Sequence, residues 1–165
     1  MKCYAGIDVG AVSATAAVLV PDTIKANFDP AHFERLDAPG GRTLYISTYR
    51  RTRGRPVAAA TELLDQVIAA VGEQNVGGVS LTGSGSQLAA RAMSIGCVNE
   101  FKAVAAGLAL LGVAVRTVFE MGGETSKYLR LSRNPEGGYG IVDYATNGDC
   151  AAGTGSFIDQ QANRL

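Results

Sequence analysis

The sequence predicts an α/β fold built from two similar halves, and three observations carry that prediction. Short β-rich runs interleave with longer runs whose apolar residues fall at helical spacing. Two strand–turn–strand units, "GIDVGAVSAT" and "EMGGETSK", each place an acid just ahead of a glycine turn. Each unit opens a run of three strands, so the order reads βββαβαα and then βββα. The halves are expected at residues 1–115 and 116–165, with the second cut short after its first helix.

The elements follow in order. Residues 2–9, "KCYAGIDV", alternate and end on Gly10, as a strand does. Residues 13–20, "SATAAVLV", form a second strand, and the two are predicted to make a hairpin around residues 10–12. Residues 21–42 are polar and hold Pro21, Pro30, Pro39, Gly40 and Gly41, which reads as a loop. "TLYISTY" is a third strand. The basic run "RRTRGR" reads as a solvated connection, and Pro56 then opens a helix, "PVAAATELLDQVIAAVG". "VGGVSLTGSG" is a strand closing on a glycine turn, followed by the helices "SQLAARAMSIG" and "NEFKAVAAGLALLG". In the latter, Asn99 is a good N-cap and Glu100 lies in the first turn. "RTVFEMGGETSKYLRLS" is the second strand–turn–strand, "GIVDYATNG" a further strand, and a helix ends the chain.

Composition narrows the function. The 165 residues are 47% hydrophobic, and 15 basic residues balance 15 acidic ones. No net field draws the chain to nucleic acid or to an anionic membrane. The apolar run 103–115 is shorter than the roughly 20 residues that span a bilayer. No signal peptide is visible. Three scattered cysteines, Cys3, Cys97 and Cys150, make no disulfide framework, which favours a reducing cytoplasm. With His32 as the single histidine, a Ser-His-Asp triad or a multi-histidine zinc site is disfavoured.

The glycine turns carry the chemistry. Backbone N–H groups in a turn of small residues can clasp phosphate oxygens. Around the first turn stand Gly10 and the hydroxyls of Ser13 and Thr15, and Asp8 is placed to hold a hydrated Mg²⁺. The second repeats the device with Glu120, Gly122, Gly123, Ser126 and Lys127. Either alone is an ordinary hairpin; the pair, at matching places, suggests a grip on a triphosphate from two sides. Neither is a P-loop or a Rossmann fingerprint. "LTGSGSQLA" offers amides to an anion at a helix start. Glu100 is a candidate to face the metal or an attacking water, although its place as a helix cap also explains it. Near the end, Cys150 stands before a turn with Gly153 and Gly155, after Asn147, Gly148 and Asp149 and ahead of a helix N-terminus. That setting favours thiolate, the form that binds iron.

Together, "GIDVG", "NEFKAVAAG", "EMGGETSK" and "NGDCAAGTGSF" occur in the order of the sugar kinase, Hsp70 and actin superfamily. "NGDCAAGTG" resembles the ATP-dependent activators of 2-hydroxyacyl-CoA dehydratases and the related ATPase subunits of benzoyl-CoA reductase. The resemblance implies an actin-like, ribonuclease H-like lobe, with a mixed five-stranded sheet flanked by helices, and the start of a second such lobe. It implies ATP and Mg²⁺ bound between two lobes, and a cytoplasmic homodimer sharing one [4Fe–4S] cluster. ATP hydrolysis there drives low-potential electron transfer to a CoA-ester dehydratase or reductase. Carried over, Asp8, Gly10, Gly122, Gly123, Ser126 and Lys127 match phosphate or Mg²⁺ positions, and Cys150 matches the first cluster cysteine. Ala11 and Thr15 stand where the pattern has Ser and Lys, Glu120 where it has Asp, and Val104 where it often has His. The second cluster cysteine and the adenine-closing part are expected beyond residue 165, so a fragment inactive by itself is implied. Two alternatives stay open: a sugar-kinase-like phosphotransferase and a non-catalytic regulatory module.

Overall fold

The computed structural model describes residues 1–123, 125–147 and 154–164. The chain divides into two compact units, Met1–Val98 and Asn99–Leu165.

The first unit is built on β1 (Cys3–Val9), which pairs antiparallel with β2 (Ser13–Pro21). β3 (Phe33–Ala38) and β4 (Arg42–Ser47) form a hairpin that extends the sheet beyond β2. β5 (Arg50–Arg51) pairs with the first two residues of β2. Helix α1 (Pro56–Val71) leads to β6 (Val76–Thr82), parallel to β1, and α2 (Ser86–Met93) leads to the two-residue β7 (Gly96–Cys97), parallel to β6. The order is β3-β4-β2-β1-β6-β7, with β5 on β2. The expected mixed five-stranded sheet is therefore present as β4-β2-β1-β6-β7, and β3 and β5 are additions. β3 lies in the stretch read as loop. Its sequence, FERLDA, is charged and bounded by Pro30 and Pro39, a composition that suits an edge strand and conceals it.

Strand parity explains the core. Cys3, Ala5, Ile7 and Val9 of β1, and Ala14, Ala16, Val18 and Val20 of β2, are buried on one face. α1 covers them with Ala59, Ala60, Leu63, Val67 and Val71, a helical stripe, and α2 adds Ala89. The opposite face carries Tyr4, Gly6 and Asp8, all exposed.

The second unit places α3 (Glu100–Leu110) on a meander of β8 (Thr117–Met121), β9 (Ser126–Arg133) and β10 (Tyr139–Thr146), in the order β10-β9-β8. Ala105, Leu129 and Leu131 form its buried centre, with Phe101, Val104, Leu108, Val118 and Ile141 packed around them. α3 thus packs with the second unit, whereas the sequence reading grouped residues up to 115 with the first half. A last helix, α4 (Gly155–Ala162), follows. Asn99 caps α3 as expected, its side-chain oxygen accepting from the N–H groups of Phe101 (3.0 Å) and Lys102 (3.4 Å). Asn99→Ala should destabilise this unit by about 1 kcal/mol in urea titration; an unchanged midpoint would deny the cap its role.

Candidate functional site

In the first unit, Asp8 lies near the end of the central strand, level with Thr15 on one side and Thr82 on the other. The three side chains share the uncovered face by strand parity. Asp8 is exposed, whereas the Thr82 hydroxyl is buried and has no hydrogen-bond partner among the described residues. A buried hydroxyl in that condition calls for a water or a ligand oxygen.

The turn after Asp8 closes by a bond from the Gly10 N–H to the Ser13 carbonyl (2.9 Å). Neither Ala11 nor Val12 takes a positive φ, so this two-residue loop lacks the backbone twist that hairpins favour. An outside brace takes its place. The Thr52 N–H donates to the Val12 carbonyl (2.9 Å), and the buried Thr52 hydroxyl donates to the Ala11 carbonyl (2.5 Å). On the other side, the loop ahead of α2 is fastened by the Gly85 N–H donating to the Val9 carbonyl (2.7 Å). Gly83, at φ +97°, lies so close that a β-carbon would run into the Asp8 carboxylate and stand 2.5 Å from the Val9 carbonyl oxygen. Asp8, the turn 10–13 and the loop 83–85 therefore form one braced structure. A cleft of about 220 Å³ lined by His32, Ser47, Thr48 and Gln66 lies beside α1 and includes none of these residues.

In the second unit, β8 and β9 set Glu120 opposite Lys127. The Lys127 ammonium donates to Glu120 Oε2 at 2.6 Å and lies 3.3 Å from Glu100 Oε2. Its side chain is 12% exposed, against 32% for Glu100 and 37% for Glu120. Burial works to lower the Lys127 pKa. The hydrogen bond and charge of Glu120, with the charge and hydrogen bond of Glu100, outweigh it and hold the ammonium above its ordinary range. One ammonium between two carboxylates leaves the trio net negative.

The turn 122–125 is held from several directions. The Gly122 N–H donates to the Thr125 carbonyl (2.8 Å), and the Ser126 N–H donates to Asn147 Oδ1 (2.6 Å). At the start of α4, the buried Thr154 hydroxyl donates to the Gly123 carbonyl (3.1 Å), and the Gly155 N–H donates to the Gly122 carbonyl (2.9 Å).

The structure thus brings Glu100, Glu120 and Lys127 together beside Gly122, Gly123, Ser126 and Gly155. It brings Asp8 together with Gly10, Ser13 and Thr15. Cys150 and Gly153 lie outside the described residues. Sequence reasoning missed Thr52, Thr82 and Thr154, and read Asn147 only as part of the setting of Cys150. Only Thr82 gave a signal, as a hydroxyl directly before a glycine at the end of a strand beside β1.

The donor set fits a hydrated Mg²⁺ with a polyphosphate: an exposed carboxylate, an orphaned hydroxyl beside it and a glycine-bordered turn. It does not by itself fit an iron–sulfur cluster. No group of three or more His, Cys, Asp or Glu side chains among the described residues could hold a metal. Burial pushes the Cys3 thiol above its usual range, away from thiolate, and Cys97 lies near the opposite end of β6 from Cys3.

No family model matches the sequence. The 2-hydroxyisocaproyl-CoA dehydratase activator of Clostridioides difficile is 22% identical over 157 residues, covering 95% of this chain and 50% of that protein. Among solved structures, component A of the Acidaminococcus fermentans (R)-2-hydroxyglutaryl-CoA dehydratase superposes with a TM-score of 0.63 at 22% identity, over 99% of this chain and 54% of the other. The Clostridium difficile activator of the 2-hydroxyisocaproyl-CoA dehydratase, with bound ADPNP, also gives 0.63, at 20% identity over 99% and 52%. The chain spans about half the length of these relatives. The chain is thus similar in sequence, over nearly its whole length, to a 2-hydroxyisocaproyl-CoA dehydratase activator, and it has the actin-like ATPase fold.

Proposed function

We propose that the chain is the nucleotide-phosphate-binding part of an ATP-dependent activator. The observation that carries the reading is the braced structure of Asp8, the turn 10–13 and the loop 83–85, with its orphaned Thr82 hydroxyl. Asp8 would hold Mg²⁺ through water, with Thr82 taking one of those waters, and the metal would neutralise phosphate charge. Ser13 and Thr15 supply hydroxyls along the same face. Glu100 would orient the attacking water, and Glu120 would position Lys127, whose ammonium answers charge on the phosphates. Phosphoryl transfer relies on such positioning and electrostatics.

The likeness to dehydratase activators over 95% of the chain supports a wider role. In that role a longer, cytoplasmic, homodimeric protein uses ATP to send a low-potential electron through a [4Fe–4S] cluster to a CoA-ester dehydratase or reductase. Cys150 would be a cluster ligand. One observation favours a second reading, a module that binds nucleotide without turning it over. Lys127 and Glu100, the groups hydrolysis would use, already satisfy each other.

Calorimetry with Mg·ATP tests the proposal. The 165-residue chain should bind with an affinity weaker than micromolar, because the reading rests on phosphate and metal contacts and assigns no residue to adenine. Absence of binding even at millimolar nucleotide would overturn the reading. Binding without hydrolysis in the longer protein would select the second one.

A further inference from the structure

We propose that Arg51 is a phosphate-binding cation of the first turn, taking one phosphate of a nucleoside polyphosphate in its guanidinium fork. The inference deepens the reading above and rests on it. β5 has two residues, and its register fixes where each one points. Arg50 lies opposite Ala14 and Arg51 opposite Ser13. Ala14 faces α1, and Arg50 accordingly forms an ion pair with Glu62 of that helix. Side chains alternate along a strand, so Arg51 shares the other face with Ser13, Thr15 and Asp8. Directly opposed residues have β-carbons about 5 Å apart, which puts the base of the Arg51 side chain beside the Ser13 hydroxyl.

Three further facts give this arginine a task. It is exposed, and among the described residues no carboxylate pairs with it. The next residue, Thr52, carries both hydrogen bonds that brace the turn at Ala11 and Val12, so Arg51 and the turn form one rigid piece. The turn itself offers only amides and hydroxyls, next to the negative charge of Asp8. A polyphosphate arriving there meets a like charge, and of the two arginines that register fixes beside the turn, Arg51 is the one on the face of Ser13 and Asp8. Arginine suits the task because its planar fork gives two parallel N–H···O bonds to one phosphate.

The test is a titration of the ¹⁵N-labelled chain with Mg·ATP and with magnesium tripolyphosphate, followed by amide shifts at residues 11–13 and 83–85. Four proteins are compared: wild type, Arg51→Gln, Arg51→Lys and Arg53→Gly. The last removes the same charge two residues away and relieves the left-handed backbone of Arg53 at φ +48°. Arg51→Gln should weaken both ligands roughly five- to tenfold, Arg51→Lys should recover part of that loss, and Arg53→Gly should match wild type. Equal affinity in wild type and Arg51→Gln, or an equal loss in Arg53→Gly, would overturn the assignment of Arg51 and leave the nucleotide reading standing. A wild type whose turn amides do not move at all would overturn both.

Discussion

Asp8→Asn is expected, on the nucleotide-binding reading, to lower Mg²⁺-dependent ATP hydrolysis about a hundredfold or more while weakening nucleotide binding by less than about tenfold. The two side chains are nearly the same size. Asparagine can therefore keep its seat against Gly83, where a β-carbon would collide with the carboxylate, and the turn 10–13 should stay braced by Thr52. What disappears is the charge that fixes the metal. Binding draws on many amides and hydroxyls, but transfer needs the metal in one place, so turnover should fall further than affinity. Steady-state hydrolysis and calorimetry, each with and without Mg²⁺, read the two effects separately. Unchanged turnover would reduce Asp8 to a strand-end acid that seats a glycine.

Lys127→Met should destabilise the second unit by about 1–3 kcal/mol, discounted from the effect of a fully buried pair because both carboxylates are about one-third exposed. The variant leaves Glu100 and Glu120 facing each other without their shared ammonium. Adding Glu120→Gln should restore most of the loss, since it removes the repulsion rather than an attraction. The alkaline limb of stability gives an independent reading. The Lys127 pKa is raised above its ordinary 10.5, so the stabilisation from this group is whole below that value and drains away as pH climbs through the raised one. Wild type should therefore lose stability above about pH 10.5 more steeply than Lys127→Met in chemical denaturation. Parallel curves would mean that the trio contributes nothing to folding.

Much of this was legible in the sequence where periodicity and turn chemistry agree. α1 announces itself by Pro56 and its apolar stripe, and α3 by the Asn99 cap, because those signals are local. The strand pair of β1 and β2 follows from alternation ending at Gly10. β3 was hidden because an edge strand needs no apolar pattern, and β5 and β7 because two residues have no period at all. At the site, the acids and glycines were visible since their types imply their chemistry. The bracing roles of Thr52, Asn147 and Thr154 were not, because a hydroxyl or amide that braces a distant turn looks the same in sequence as one that faces solvent. The basic run at residues 50–55 shows the same limit. Composition suggests a solvated connection, and only register separates Arg50, turned to α1, from Arg51 on the opposite face.

The second turn is tied at both ends of one short stretch: Asn147 holds Ser126, and Gly155 holds Gly122. A turn fastened at two points behaves as a beam fixed at both ends, and moving either support bends it. Displacing the Asn147 amide or the start of α4 would therefore shift the Ser126 and Gly122 hydrogen bonds without passing through Ala105, Leu129 and Leu131.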